Sequence, residues 1–176
     1  SRGAPISRWG ELWGGNFMKI AVYAGTFDPI TNGHLDIARR ASCLFDRIII
    51  AVARDNYKNT MFDLEERCHM VREAVSDQPN ITVVPFDGLL VDFCRSQGAT
   101  SIIRGLRAVS DFDKEFQMAL LNRQLNGGIE TVFLMSDAKY LYISSSIIRN
   151  SAVLGGDIRD LVPPCVAEAL KKKLAK

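Results

Sequence analysis

Gly25-Thr26-Phe27-Asp28-Pro29-Ile30-Thr31-Asn32-Gly33-His34 is the stretch on which the fold of this chain turns. A short apolar run, Ile20-Ala21-Val22-Tyr23-Ala24, precedes it, and a helical pattern, Leu35-Asp36-Ile37-Ala38-Arg39-Arg40-Ala41, follows. A Gly-containing turn therefore joins a buried strand to a helix. In α/β folds that is where nucleotides bind, outside the carboxyl ends of parallel strands. The helix start offers free N–H groups and a positive dipole end to phosphate. Gly33 lets the backbone approach a ligand, and His34 can donate to an anionic oxygen. Asp28 is expected to support the turn through side-chain-to-backbone bonds.

Working outward, strand-like and helix-like segments alternate. Ile48-Ile49-Ile50-Ala51-Val52-Ala53 reads as a parallel strand covered on both faces. Asp63-Leu64-Glu65-Glu66 reads as a helix cap, and Leu64, Val71 and Val75 recur at helical spacing behind it. Ile81-Thr82-Val83-Val84 is the next strand, and Gly88 to Gln97 a helix stopped near Gly98. Thr100-Ser101-Ile102-Ile103 is a strand, Phe112 to Leu125 a helix, and Ile129 to Met135 a strand. Pro163-Pro164 opens a final helix with lysines at its end. Five strands alternating with helices predict an α/β, single-domain, doubly wound parallel five-stranded sheet.

The chain has 176 residues, 47% of them apolar, which suits one globular domain with a substantial core. A net charge of +2 argues against a broad polyanion-binding surface, so no nucleic-acid partner is expected. Phosphate recognition must come from a few placed cations. Cys43, Cys68, Cys94 and Cys165 form no CxxC pair and read as small buried hydrophobes of a reduced, cytoplasmic protein. No bound metal is expected on them. No apolar run is long enough to span a membrane. Residues 1–17 do not read as a signal peptide, and Met18 looks like a natural start. They are taken as a cloning remnant or disordered extension before a catalytic domain over 18–176, although Trp9, Leu12, Trp13 and Phe17 could dock.

Beyond the opening turn, three more chemistry-bearing features fall at predicted strand ends and should converge on one rim of the sheet. Tyr57-Lys58-Asn59 follows the strand ending at Ala53, and Lys58 could swing a point charge onto phosphate. By itself it reads more readily as an ordinary solvated lysine. Arg104-Gly105-Leu106-Arg107-Ala108 follows Ile102-Ile103, and two arginines around a glycine make a phosphate clamp. Tyr140-Leu141-Tyr142-Ile143-Ser144-Ser145-Ser146 precedes Arg149, and serines opening a helix supply hydroxyls and N-terminal amides together. Tyr142 could also be core, and Leu90 reads physically as core. His69 has no partner motif and reads as structural or exposed.

Together these motifs resemble the nucleotidylyltransferase superfamily, whose T/HxGH signature matches the first turn and whose ISSTxxR signature matches the serine run. In its full form GTFDPITNGH is similar to the bacterial phosphopantetheine adenylyltransferase family. Met61-Phe62-x-Leu64-Glu65-Glu66-Arg67 and Arg104-Gly105-Leu106-Arg107-Ala108 through Glu115 also match it. The resemblance runs from Met18 to about Lys173. It implies a Rossmann-like nucleotidylyltransferase fold and transfer of adenylyl from ATP to 4′-phosphopantetheine, giving 3′-dephospho-coenzyme A and pyrophosphate in coenzyme A biosynthesis. It implies Mg²⁺ with ATP and a homohexamer. His34, Lys58 and Arg107 are then catalytic. Thr26, Lys58, Leu90 and Arg104 contact the acceptor. Thr26, Phe27, His34, Gly105, Leu106, Arg107, Glu115, Tyr140, Leu141, Tyr142, Ile143, Ser144, Ser145 and Ser146 contact ATP. Two departures from the family pattern are Lys114, where an aromatic is common, and Ala24, where some members carry proline.

Adenylyl transfer needs no protein nucleophile. The protein must align two polyanions and neutralise charge growing in the transition state. A related transferase using another phosphate acceptor is the nearest rival reading, and a non-catalytic nucleotide sensor is the rival from another class. A class I aminoacyl-tRNA synthetase is excluded by length and by the missing KMSKS-like loop.

Overall fold

The computed structural model describes residues 18–54 and 59–175. Five parallel strands form one sheet: β1 (Ile20–Gly25), β2 (Arg47–Ala53), β3 (Ile81–Phe86), β4 (Ser101–Leu106) and β5 (Glu130–Met135). The helices are α1 (Asn32–Leu44), α2 (Leu64–Ala74), α3 (Leu90–Ser96), α4 (Val109–Leu125), α5 (Ser145–Val153) and α6 (Pro164–Leu174), with a 3₁₀ turn at Ala138–Tyr140. Strand order is β3-β2-β1-β4-β5, so the chain winds outward from β1 and then crosses back to β4. The point of reversal lies between β1 and β4, where a doubly wound sheet opens a crevice.

The register shows how that crevice opens. β1 and β4 are paired from Ala21↔Ser101 only as far as Tyr23↔Ile103. β4 goes on pairing with β5 to Leu106↔Met135, and β1 with β2 to Gly25↔Val52. The two central strands thus part at their carboxyl ends. Arg104, Gly105 and Leu106 belong to the strand itself, where the sequence suggested a loop after Ile103.

Alternation along β1 feeds two cores, as the period-2 pleat requires. Ala21 and Tyr23 pack with α1, α2, α5 and α6 on one face. Val22 and Ala24 pack with Ile49, Ala51, Ile102 and the α3 residues Val91 and Cys94 on the other. Half-buried Leu90 packs against this second cluster, in keeping with its reading as core.

Several boundaries move from the sequence reading for local reasons. α1 begins at Asn32, so Gly33 and His34 lie within its first turn. Thr31 caps it through a reciprocal box, its hydroxyl accepting from the His34 amide while the His34 ring accepts from the Thr31 amide. α2 carries the expected Asp63/Glu66 box. α3 is shorter than Gly88 to Gln97 because Gly88 adopts φ +80°, outside helical space. α4 starts at Val109, three residues before Phe112, which brings Asp111 into its first turn.

Asp28 does not brace its own turn. Its buried carboxylate accepts the amides of Met61 at 2.8 Å and Phe62 at 2.9 Å, tying the turn to the segment entering α2. Cys43 is exposed on α1, contrary to the buried-hydrophobe reading, whereas Cys68 and Cys94 are buried. His69 lies on the surface of α2, 3.7 Å from Glu73.

Candidate active site

The carboxyl ends of β1 and β4, with the starts of α1 and α5, enclose a cleft of about 410 Å³. It gathers Thr26, Phe27, His34, Arg104, Gly105, Arg107, Glu115, Tyr140, Ile143 and Ser144 to Ser146 from three separate sequence regions. Leu106 does not line it, nor do Leu141 and Tyr142, which are 45% and 59% exposed. Tyr142 is therefore not core. Leu90 does not line the cleft. Lys58 falls outside the described residues.

His34 owes its state to its place at the third position of α1. The Thr31 amide donates to Nδ1 at 3.1 Å, so a neutral ring carries its proton on Nε2. Burial pushes the His34 pKa down to about 4, and the Arg107 and Arg104 guanidiniums push the same way. At neutral pH the cleft thus holds an uncharged imidazole with one N–H to offer. The phenyl ring of Phe27 packs edge-on against it, centroids 5.1 Å apart.

A pH titration reads this directly. Between the ordinary histidine value of about 6.5 and the folded value of about 4, the unfolded chain binds a proton that the folded chain refuses. Stability from His34 is full above that window and falls as pH drops through it. The His34 ring resonances in an NMR titration should stay at their neutral positions down to about pH 5. A midpoint near 6.5 would contradict the buried neutral ring.

Arg104 is held from two sides. Its Nε and Nη2 donate to the two carboxylate oxygens of Glu115, both at 2.7 Å, and Nη1 donates to the Ala24 carbonyl at 3.1 Å. The last bond bridges the gap where β1 and β4 part. Of five guanidinium N–H groups, two remain for a ligand. Glu115, 16% exposed in its side chain, is occupied in orienting this arginine. Arg107 donates from Nη1 to the Ile143 carbonyl at 2.8 Å and has Asp111 3.6 Å from Nε, so it ties the β4–α4 connection to the segment before α5.

The serine run is built onto the first turn. Ser144 caps α5 by accepting from the Ile147 amide. The Ser145 hydroxyl donates to the Pro29 carbonyl at 2.8 Å, and Arg149 donates to the Asp28 carbonyl at 2.6 Å. These bonds fix the α5 N-terminus at the cleft edge. The opening amides of α5 have no intrahelical acceptors, so they present an anion site.

Sequence reasoning passed over Tyr23, Ile37, Asp111 and Ser136, all of which line the cleft. Tyr23 had a signal, being the one aromatic with a polar tip in an otherwise aliphatic strand. Burial raises its pKa, so the hydroxyl stays protonated.

A cleft at the reversal point of a doubly wound sheet, with two helix N-termini, two arginines and a neutral histidine, defines a nucleotide-handling transferase site. Comparison with known proteins agrees. Residues 22–151 match the family model described as cytidylyltransferase-like. The chain is 59% identical over 156 residues to the phosphopantetheine adenylyltransferase of Moorella thermoacetica, covering 89% of this chain and 98% of that one. It is 55% identical over 155 residues to that of Nitratidesulfovibrio vulgaris, covering 88% and 83%. A solved Vibrio parahaemolyticus structure assigned as a nicotinate-nucleotide adenylyltransferase shares 20% identity at a TM-score of 0.69, covering 91% of this chain and 98% of that one. At that identity it shows the fold alone. The chain belongs to the cytidylyltransferase-like family of nucleotidyltransferases and, within it, to the phosphopantetheine adenylyltransferases.

Proposed function

We propose that this chain transfers the adenylyl group of ATP to 4′-phosphopantetheine, forming 3′-dephospho-coenzyme A and pyrophosphate in coenzyme A biosynthesis. The observation that carries the reading is the neutral His34, its Nε2–H offered to a cleft flanked by Arg104 and Arg107. An acceptor phosphate oxygen attacks the α-phosphorus in line, the bond from that phosphorus to the bridging oxygen breaks, and pyrophosphate departs with the electron pair. No covalent intermediate forms on the protein. His34 donates to the α-phosphate oxygens as their charge grows. Thr26, Arg104 and Lys58 hold the acceptor phosphate. Arg107 and the α5 amides hold the β- and γ-phosphates, with Gly105 alongside and Tyr140 and Ile143 towards the adenine.

ATP enters as its magnesium complex. Among the described residues no group of three His, Cys, Asp or Glu side chains is gathered as a metal cage. Glu115 is engaged with Arg104. In this reading the ion is carried on the triphosphate as part of the substrate. The reaction is tested by pyrophosphate release with ATP against a panel of acceptors. Turnover with 4′-phosphopantetheine and none with nicotinamide mononucleotide or glycerol phosphate is expected; the reverse preference would reassign the acceptor.

The reading extends to self-association and to a cytoplasmic setting. Phe112, Phe116, Met118, Leu120, Leu121 and Leu125 of α4 are 43–50% exposed, an apolar helix surface suited to further copies of the chain in a homohexamer. Among the described residues no helix is long and apolar enough to cross a membrane. Residues 18–176 carry the whole activity. Removing residues 1–17 should leave turnover, melting temperature and sedimented size unchanged. A fall in melting temperature beyond a degree or two would make the segment part of the fold.

A further inference from the structure

Arg67 is a buried charged side chain on α2, 3% exposed, and among the described residues no carboxylate pairs with it. Burying a guanidinium without a counter-charge is costly, and a well-packed apolar side chain would stabilise the same space better. Its bonds show what it does instead. Nε donates to the Phe62 carbonyl at 3.2 Å, and Nη1 donates to Thr26 at 2.7 Å and to Ala53 at 2.9 Å. Thr26 and Ala53 are the first residues beyond the last paired rung of β1 and the last residue of β2, where the two strands begin to part. One guanidinium spans both ends.

The peptide that follows is strained. Phe27 sits at φ 51°, in the left-handed region that a non-glycine residue occupies only when its surroundings enforce it. Its ring is pinned over the bare Cα of Gly25 and edge-on to Tyr23 and His34. In a trans peptide the N–H points opposite to the preceding carbonyl. With the Thr26 carbonyl drawn down to buried Arg67, the Phe27 N–H faces the other way. No acceptor is found for it among the described residues, and Thr26 and Phe27 both line the cleft.

We propose that Arg67 is a positioning residue: by holding the Thr26 carbonyl beneath the turn, it aims the Phe27 amide into the cleft at an anionic oxygen of ATP. This rests on the cleft being the ATP site. The test uses the full chain labelled with ¹⁵N-phenylalanine and titrated with magnesium ATP, the Phe27 amide being assigned by its loss in Phe27→Leu. In the unsubstituted protein that amide should move downfield on saturation. In Arg67→Lys, which keeps the charge but loses the fork, the movement should collapse. The ATP dissociation constant should then rise about 10- to 100-fold, the span for loss of a hydrogen bond to a charged group. The amides of the phenylalanines outside the turn, Phe86 and Phe133 among them, should stay in place. Failure of the unsubstituted protein to bind ATP would overturn the site reading and this inference with it. ATP binding with an unmoved Phe27 amide would overturn the inference alone, whether or not Arg67→Lys folds. So would a folded Arg67→Lys that binds ATP with the original affinity and shift.

Discussion

His34→Ala should lower kcat by about 10²- to 10³-fold, the loss seen when one preorganised donor to a developing oxyanion is removed. The geometry says why the loss should fall on kcat. The Thr31 amide holds Nδ1, so the ring cannot rotate its donor away from the cleft without breaking the helix cap. An uncharged ring gains little from a ground-state polyanion and more from charge that grows on the α-phosphate oxygens. ATP affinity by calorimetry should therefore change by less than about threefold, well under the tenfold that corresponds to 1.4 kcal/mol. His34→Ala also removes the ring half of the capping box, at a stability cost of about 1 kcal/mol. The kinetic comparison belongs at a temperature where both proteins are folded. A variant with near-normal kcat would remove His34 from the mechanism.

Arg104→Ala should reduce kcat/KM by about 10²- to 10³-fold, because truncating one partner of a desolvated charge pair leaves the other uncompensated. Here the residue left behind is Glu115, mostly buried and facing the cleft in which two polyanions must meet. The variant loses a cation and exposes substrate phosphate to an anion that had been neutralised. The double variant Arg104→Ala/Glu115→Gln should regain about tenfold over the single one, a non-additivity expected for residues in direct contact. Equal activity of the single and double variants would show that Arg104 acts through its own ligand contact alone and that Glu115 does no harm when unpaired. A larger rise in the acceptor KM than in the ATP KM would assign Arg104 to the acceptor phosphate, and the opposite split would move it to the triphosphate.

The interest of both variants lies in a site assembled from short segments far apart in the chain. Ser145 and Arg149 of α5 bond to the Pro29 and Asp28 carbonyls more than a hundred residues earlier. Arg104 bonds across 80 residues to Ala24. Such bonds stiffen the cleft before any ligand arrives, which is how a protein lacking a nucleophile can still lower a barrier by positioning.

Much of this was legible in the chain itself. Continuous β-branched runs such as 48–53 announce buried parallel strands, and helical periods between them leave few alternatives to a doubly wound sheet. Residues that act through local backbone geometry, such as the glycines, serines and histidine of the two signatures, carry their purpose in their spacing. Their chemistry is set within a turn or two of the main chain. What only the tertiary structure decided is long-range. Sheet order and the parting of β1 from β4 beyond Tyr23↔Ile103 depend on which strands pair, and periodicity is blind to that. The same holds for Asp28, whose carboxylate serves the amides of Met61 and Phe62 rather than its own turn, and for Glu115, which faces Arg104. It holds for Arg67, an ordinary helix arginine by sequence, which becomes a buried clasp on three carbonyls once α2 packs under two strand ends. A sequence records the donors and acceptors a residue owns, whereas burial and the neighbours brought by the fold determine which of them are used and what charge the group keeps.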